Sequence, residues 1–377
     1  MQQNTDPIYI TRFLAAMSIV VHHFLPHTYR PAGGWENLTQ NFNEGVNYFY
    51  ILSGFVMVIA YQKAIFSGAS SFPKVKYWIK RFARIYPVYL FALLATLSFH
   101  FFVKDTFTSV WERLPLEAAM LQTWVNFGSI NSPAWSVSCE VFFYFLFPFF
   151  ILKLGTLNGK KILDRAGLVY LLILVLTVFG FFANQYIQEN PSKISGFLYG
   201  FIGYHPVLRV STFIIGTLSG IWFLKNGPTM NKLKPYSPLI LFASAAAILV
   251  IFASVPVAKG ILFSYGIMVP LYFLLIISLC NLEGGLQKTL SHKSCIFLGD
   301  ISYGIYILQV PVQMYFAYFI MPTTSLAGFL LYSLVLIVLS AISYIVLEKP
   351  MRKELTDVLL NIIPKKEKNL TTNIQTQ

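Results

Sequence analysis

Charge is scarce in this sequence. Only 11% of its 377 residues are Asp, Glu, Lys or Arg, whereas hydrophobic residues make up 56%. A soluble globular domain carries about 25% charged residues, so the composition argues against a chain whose surface lies mostly in water. Aromatic residues, at 17%, are also typical of helices that cross the boundary between lipid and water.

Cysteines are few, and several common catalytic motifs are missing. Cys139, Cys280 and Cys295 show no C-x-x-C spacing, so they indicate neither a disulfide framework nor a zinc site. The sequence contains no G-x-S-x-G, P-loop, H-E-x-x-H or G-x-G-x-x-G pattern. A serine hydrolase, an ATPase and a zinc protease are therefore unsupported, and no bound metal is expected.

Long apolar segments, by contrast, recur along the whole chain. A helix of about 20 mostly apolar residues crosses the hydrocarbon core of a bilayer. Segments of this kind predict an all-α, polytopic integral membrane bundle with about ten transmembrane helices: Ile8–Phe24, Val46–Phe66, Pro87–Val103, Trp135–Leu154, Gly167–Ala183, Leu208–Leu224, Leu239–Val255, Ile261–Cys280, Ile301–Ile320 and Leu326–Leu347. No small-residue cleavage site follows the first segment, which is therefore expected to be a retained helix and not a signal peptide.

Lysine and arginine are distributed unevenly between the two sides of the predicted bundle. If the N-terminus is cytoplasmic, 22 of the 28 Lys and Arg residues fall on the cytoplasmic side. The other 6 fall on the outer side: Arg30, Lys104, Arg113, Lys193, Arg209 and Lys259. This bias predicts an even number of helices, cytoplasmic termini and a place in the cell inner membrane. It also explains most of the net charge of +13 without a nucleic-acid partner.

The chain divides into one large region and one small one. Residues 1–350 are expected to form a single transmembrane domain without an internal repeat, and residues 351–377 a short basic cytoplasmic tail. The last residues of the tail, 369–377, are polar and are expected to be disordered.

Ionisable residues within a predicted span are functional candidates, because burying them in lipid is costly. Arg12 and His23 lie eleven residues apart in the first span, which is about three turns and about 16 Å along a helix. They therefore share a helix face, whereas His22 points about 100° away. With Arg12 at the cytoplasmic edge, His23 is expected near the middle of the bilayer. The alternative is that the two histidines cap an interfacial helix end.

Two further charged groups are candidates for a site. Arg81 and Arg84, in the basic segment 74–87, can lie on one helix face, and guanidinium groups suit phosphates. Ordinary positive-inside anchoring is the alternative that composition alone favours. Glu140 is expected about one turn inside the outer membrane boundary, where a carboxylate needs a partner. Beside a histidine it would serve acid–base chemistry, and otherwise it is a structural acid.

Asp300 and Glu348 are expected to be structural. Asp300 is interpreted as the N-cap of the ninth span, and Glu348 as the end of the tenth.

The motifs around these residues resemble those of membrane acyltransferase family 3, whose bacterial members O-acylate cell-envelope and secreted glycans. They run in order along almost the whole chain: Arg12 with His23, Gly45 to Phe55 (G-V-N-Y-F-Y-I-L-S-G-F), Arg81 to Pro87 (R-F-A-R-I-Y-P), Trp135-Ser136 with Glu140, Leu298-Gly299 with Ser302-Tyr303, and Glu348-Lys349-Pro350. Each motif alone is weak, but all of them in this order are specific. Asn47 stands where an acidic residue is common, and Gln309 where the family often has His. The chain resembles the stand-alone form, without the hydrolase-like C-terminal domain of some members.

The resemblance implies a membrane-bound O-acyltransferase, expected to be an O-acetyltransferase with acetyl-CoA as co-substrate and no permanently bound cofactor. The phosphates of CoA would dock on Arg81 and Arg84, together with Arg12. His23 would act as general base or carry the acyl group itself, and Glu140 would orient it or shuttle its proton. Substrate binding or a structural role is expected for the motif residues Ser53, Trp135, Ser136 and Tyr303. The acceptor would be a hydroxyl of an envelope or exported carbohydrate on the periplasmic side.

Other classes of function also fit the intramembrane charges. A transporter or flippase could line a polar pathway with Arg12, His23 and Glu140, although no inverted repeat is evident. A non-catalytic membrane scaffold leaves the buried charge unexplained. The acceptor glycan, the acyl group, the oligomeric state and a role for Gln309 all stay open at this point.

Overall fold

The architecture is helical throughout the part of the chain that the structure describes. A computed structural model describes residues 5–68, 71–103, 108–125, 127–256 and 262–362. The first half contains α1 (Ile8–Phe24), α2 (Gly34–Asn41), α3 (Gly45–Ala60), α4 (Gln62–Phe66), α5 (Lys74–Phe102), α6 (Thr108–Trp111), α7 (Leu114–Ala118), α8 (Trp135–Gly155) and α9 (Gly159–Glu189). The second half contains α10 (Lys193–Tyr204), α11 (Pro206–Lys225), α12 (Gly227–Leu233), α13 (Ser237–Ser254), α14 (Val269–Cys280), α15 (Gly284–Leu290), α16 (Lys293–Phe319), α17 (Leu326–Ser343) and α18 (Lys349–Ile362).

Several of these helices are long and apolar enough to cross a membrane. Within the described residues 7 stretches meet that condition: Lys74–Phe102, Ser132–Gly155, Gly159–Glu189, Ile194–Lys225, Gly227–Ser254, Lys293–Phe319 and Leu326–Ile362. The number is 8 if α14 and α15, which are bent by 103° at their junction, count as one span. α1 is apolar but shorter, with 17 residues. The chain is therefore a multi-pass membrane protein, while the count of about ten spans and the cytoplasmic termini stay predictions.

Two predicted segments differ from the helices that form. Among the described residues of the segment Ile261–Cys280, the α-helical part is α14, which has 12 residues. It extends about 18 Å, too little for a full crossing. Residue 261 lies outside the described residues. The segment Pro87–Val103 is the second half of α5, which begins at Lys74. Hydropathy detects only the apolar half of that helix, because its first turns are basic.

Glycines allow α3 and α11 to pack backbone to backbone. A Cβ atom at Gly54 would overlap the carbonyl of Phe213, and one at Gly216 would overlap the carbonyl of Ile51. Small residues at such crossings let membrane helices approach closely. Gly299 likewise faces the backbone of Tyr9, where α16 packs on α1. Two glycines of the sequence motifs, Gly54 and Gly299, thus have a packing role.

Prolines inside two helices free carbonyl groups that side chains then satisfy. A helical proline has no N–H for the carbonyl four residues earlier. Pro148 thus frees the carbonyl of Tyr144, which accepts a hydrogen bond of 3.2 Å from the Trp78 indole. Pro311 frees the carbonyl of Ile307, which accepts one of 2.8 Å from the Asn131 amide. These bonds tie α5 to α8, and the segment before α8 to α16.

The two residues expected at helix ends lie within continuous helix. Asp300 is inside α16, whose N-cap is His292, so the N-cap interpretation of Asp300 is wrong. Glu348 lies in a π-helical turn, Tyr344–Glu348, that leads directly into α18. α18 packs against α5. The tail segment 369–377, expected to be disordered, lies outside the described residues.

Candidate active site

A cavity of about 180 Å³, here called the arginine cavity, brings together most of the residues that the sequence singles out. It lies between α1, α3, α5, α8 and α16. Seven of the predicted site residues line it: Arg12, Ser53, Arg81, Arg84, Ser136, Glu140 and Tyr303. Five of the six motifs, distant in the sequence, thus supply residues to one cavity.

Among the described residues, no carboxylate lies within 4.0 Å, the distance of a salt bridge, of the arginines of this cavity. Arg81 and Arg84 lie three residues apart on α5, and both line the same cavity as Arg12 of α1. Among the described residues the salt bridge within 4.0 Å is Lys234–Glu283, far from this cavity in the sequence. The Nε atom of Arg81 is buried and has no hydrogen-bond partner. Unpaired guanidinium groups around a cavity form a site suited to an anion, and above all to phosphate.

Glu140 is held in the arginine cavity by a short chain of hydroxyl groups. The Tyr144 hydroxyl donates to Glu140 Oε1 at 3.1 Å and lies 2.9 Å from the Ser53 hydroxyl. Because the tyrosine proton points to the carboxylate, Ser53 donates to Tyr144. Ser53, of the L-S-G-F motif, therefore supports the acid from the opposite helix.

Two acids that the sequence suggested were structural lie near the same arginines. Asp300 and Glu348 are close enough to Arg12 to interact with its charge, and Glu348 also interacts with Arg84. Asp300 accepts a hydrogen bond of 3.1 Å from Tyr344. Their positions at apparent helix ends concealed this role, since an Asp or Glu there is normally a cap.

A second, larger cavity of about 590 Å³, here called the histidine cavity, is lined by His23 and Trp135. The Nδ1 atom of His23 lies 2.8 Å from Oε1 of Gln309. The Gln309 side chain is fully buried, with 0% exposure. Its Nε2 atom donates to the carbonyl of Tyr306 at 2.7 Å. Gln309, which the sequence left without a role, is thus the partner of the candidate catalytic histidine.

The end of α1 that carries His23 is fixed by Arg30. The buried guanidinium donates through Nη2 to the carbonyls of Val21, His22 and Leu25, at 3.0, 2.8 and 2.6 Å. Carbonyls at the end of a helix lack the backbone donors that would continue it, although that of Val21 also accepts a hydrogen bond of 3.1 Å from the Leu25 N–H. A cation there is also favoured by the helix dipole. In the sequence, Arg30 is recognisable only as an outer-side charge.

The two predicted catalytic residues do not meet. Glu140 lines the arginine cavity and His23 the histidine cavity, so the expected contact between them is replaced by Tyr144 on one side and Gln309 on the other. Helical periodicity gives the face on which a residue lies, but not the depth at which another helix crosses it.

Val46 and Tyr306 line both cavities and stand where they adjoin. The Tyr306 hydroxyl donates to the carbonyl of Pro133 at 3.0 Å and lies 2.7 Å from the Ser136 hydroxyl. These bonds hold the tyrosine ring against α8. The W-S motif therefore contributes Trp135 to one cavity and Ser136 to the other.

Most of the polar side chains that line the histidine cavity, all but Asn47 among those given next, are not singled out in the sequence. Several are carboxamides, and several are tyrosines: Gln40, Asn41, Asn43, Asn47, Asn184, Gln188, Tyr199, Tyr204 and Tyr306. Amides both donate and accept hydrogen bonds, and aromatic rings pack on apolar surfaces. No sequence signal identifies these residues, because they come from α2, α3, α9, α10 and α16.

Glu44 is a buried acid at the wall of the histidine cavity, with 3% exposure. Asn47 donates to its Oε2 at 2.8 Å. Burial raises the pKa of the Glu44 carboxyl to about 7, against smaller lowering effects of the Asn47 hydrogen bond and the charge of Arg209. Asn47, where the family often has an acid, is thus paired with an acid one helical turn away.

Known proteins resemble this chain over most of its length. The sequence model of the family described as "Acyltransferase domain" matches residues 8–347. Acyltransferase MdmB of Streptomyces mycarofaciens is 26% identical over 279 residues, which cover 72% of this chain and 68% of MdmB. O-acetyltransferase OatA of Staphylococcus aureus is 22% identical over 329 residues, covering 82% of this chain and 52% of OatA, about half of its length. No solved structure matches the chain.

Proposed function

Because this chain belongs to the acyltransferase family that matches its residues 8–347, we propose that it transfers an acetyl group from cytoplasmic acetyl-CoA to a carbohydrate hydroxyl. In this proposal the protein lies in the cell inner membrane, crosses it about ten times and keeps both termini in the cytoplasm. The acceptor is an envelope or exported glycan on the other side. The observation that carries the proposal is the pair of adjoining cavities, one with unpaired arginines and one with an exposed histidine.

The arginine cavity is the donor site. The phosphates of acetyl-CoA would bind Arg12, Arg81 and Arg84, whose guanidinium groups form no salt bridge within 4.0 Å with the described residues. A cavity of about 180 Å³ is smaller than the roughly 300–1,000 Å³ of pockets that enclose a drug-sized ligand. Only the narrow arm that carries the thioester would enter, and the nucleotide would stay at the mouth.

The histidine cavity is the acceptor site. A sugar offers many hydroxyl groups, which match the carboxamides of this cavity, and apolar ring faces, which match its aromatic side chains. The volume of about 590 Å³ lies within the usual range for a small ligand. Trp135 provides the aromatic surface adjacent to Ser136 of the donor site.

The chemistry would take place where the cavities adjoin. In direct transfer, the acceptor oxygen attacks the thioester carbon, His23 takes the hydroxyl proton, and the C–S bond breaks. Alternatively, Nε2 of His23 attacks first and the C–S bond breaks; the acceptor oxygen then attacks the acetyl-histidine and gives its proton to Nε2 as the N–C bond breaks. In both routes the departing thiolate must gain a proton. In its protonated form Glu140, on the donor side with the Tyr144 hydroxyl, would supply this proton, and the proton that His23 receives from the acceptor would restore it.

Two measurements test this function. Mass analysis of envelope and secreted glycans, in cells with and without the protein, should show acetyl groups that depend on it, and their absence would contradict the proposal. The purified protein should bind acetyl-CoA saturably. A transporter or flippase would move its substrate without forming an acetylated product.

Single and double variants test the roles proposed for individual residues. His23→Ala should abolish glycan acetylation and keep acetyl-CoA binding, whereas His22→Ala should have a milder effect. The double variant Arg81→Ala/Arg84→Ala should weaken acetyl-CoA binding. Arg165→Ala, an exposed arginine of α9 outside both cavities, is the matched control. An active His23→Ala protein would exclude the histidine mechanism, and unchanged binding in the double variant would exclude the donor site.

A further inference from the structure

We propose that Gln309 is a positioning residue that keeps His23 in the tautomer with its proton on Nδ1. The Nε2 atom is then the basic, unprotonated atom that faces the acceptor. This inference rests on the proposed function, in which His23 is the basic group.

The hydrogen bonds of Gln309 determine how its amide is oriented. The Tyr306 carbonyl can only accept, so the group that lies 2.7 Å from it must be the NH₂ of Gln309. The amide oxygen, Oε1, then faces His23. A reversed amide would set two oxygen atoms against each other at the Tyr306 carbonyl. The assignment of oxygen and nitrogen therefore follows from the network.

The orientation of the amide in turn determines the histidine tautomer. Oε1 of Gln309 can only accept, and it lies 2.8 Å from Nδ1 of His23. Nδ1 must therefore carry the proton. In the neutral ring this leaves the lone pair on Nε2, which has no hydrogen-bond partner among the described residues. The ring is exposed, and it lines the histidine cavity.

The position of Gln309 within α16 is itself fixed by its surroundings. Its backbone carbonyl accepts a hydrogen bond of 2.8 Å from the Tyr332 hydroxyl of α17. Two residues earlier, the Ile307 carbonyl is tied to Asn131, where Pro311 interrupts the helix bonding. Because the side chain is fully buried, water does not compete for Oε1. The amide thus presents one fixed acceptor to the ring.

A neutral amide is suited to a histidine that must take up and release a proton. Gln309 accepts from Nδ1–H whether the ring is neutral or protonated, so proton uptake at Nε2 requires no rearrangement. A carboxylate at the same place would stabilise the imidazolium further and hold the proton more strongly. An apolar side chain would leave both tautomers accessible, and only one of them presents a basic Nε2.

The test is to measure the tautomer directly. Protein labelled with ¹³C and ¹⁵N only in histidine would be studied by NMR in detergent, and the signals of His23 identified by their loss in His23→Ala. The wild-type ring should be protonated on Nδ1. In Gln309→Met, which keeps the length but has no acceptor, the Nε2–H form should appear and turnover should fall at least about tenfold. Gln313→Met, one turn further along α16 and outside both cavities, should change neither.

Gln309→Glu provides a conservative variant. Its carboxylate accepts from Nδ1–H, so the tautomer should be retained, and the rise of activity with pH should shift to higher pH. A wild-type ring protonated on Nε2, or an unchanged tautomer in Gln309→Met, would overturn the inference. If Gln309→Met does not fold, the wild-type and Gln309→Glu spectra decide. A different result would contradict the proposed function alone: His23→Ala would remain active, while the wild-type ring would still be protonated on Nδ1.

Discussion

Arg12 and His23 lie on the same helix, α1, but line different cavities, which adjoin at Val46 and Tyr306. In the proposed function, the helix connects a site for an anionic donor with a site for a polar acceptor. In the proposed reaction, the acetyl group must pass Val46 and Tyr306 on its way from one cavity to the other. Val46 is small and buried, so a larger residue there would obstruct the passage.

Val46→Trp is therefore expected to separate donor binding from transfer. Turnover of acetyl-CoA in the presence of acceptor-containing membranes should fall at least about tenfold, equivalent to about 1.4 kcal/mol in the barrier. Acetyl-CoA binding, measured by saturation with a radiolabelled donor, should change by less than about threefold, under 1 kcal/mol. Val46→Ala is the control and should keep both. Normal turnover in Val46→Trp would show that the acyl group takes another path.

Removing the guanidinium of Arg30 should loosen the end of α1. Arg30→Met leaves the carbonyls of Val21, His22 and Leu25 without their donor, and hydrogen bonds to a charged group contribute about 1.5–3 kcal/mol. The thermal unfolding midpoint in detergent should fall, and acetyl transfer should fall with it, since His23 lies in that last turn. Arg165→Met is the control. A midpoint equal to that of the control would show that the cap does not support the helix end.

The contact between α3 and α11 should tolerate no side chain at Gly216. Gly216→Leu would place carbon atoms in the backbone of Ile51, so the two helices must separate. Gel filtration in detergent should show aggregated or poorly recovered protein. Gly167→Leu is a matched control, because a Cβ at Gly167 of α9 meets nothing within 4 Å, and it should elute like wild type. A monodisperse, fully active Gly216→Leu protein would contradict the packing described for these helices.

Stability should fall as the pH rises because of Glu44. The pKa of its carboxyl in the folded protein is about 7, above the ordinary value of 4.5. The folded state therefore binds more protons than the unfolded state between these values. The stabilisation is fully present below about pH 4.5 and is lost as the pH rises through about 7, by on the order of 3 kcal/mol.

Thermal unfolding in detergent between about pH 5 and 8 would measure this effect. Glu44→Gln should remove the part of the slope that comes from Glu44, so its unfolding midpoint should fall less with rising pH than that of wild type, because the amide does not titrate. Glu354→Gln, an exposed acid of α18, should keep the wild-type slope. Identical slopes in wild type and Glu44→Gln would mean that this carboxyl is not the group responsible.

Much of this architecture can be predicted from the sequence because it depends on residues that are close to one another in the chain. Apolar runs predict the helices, and α1 has the predicted bounds. The i, i+3 spacing of Arg81 and Arg84 predicts a shared face, and both line the arginine cavity. The orientation in the membrane, indicated by the charge bias toward one side, stays a prediction.

What the sequence did not predict depends on how helices cross. Glu140 was expected beside His23 because both are polar residues within spans, yet Tyr144 and Gln309 are their partners. The periodicity of one helix does not show which residue of another helix packs opposite a given position. Asp300 was interpreted as a cap because helix boundaries had been placed by hydropathy, and the polar first turns of α16 were not counted as helix.

The unequal sizes of the two cavities have a consequence for selectivity. The arginine cavity, proposed for the donor, measures about 180 Å³, and the histidine cavity, proposed for the acceptor, about 590 Å³. An enzyme with these two sites would be selective for its acyl donor and tolerant of different acceptors. Longer acyl chains would be excluded from the smaller cavity, whereas sugars of different shape and linkage could bind and be modified in the larger one.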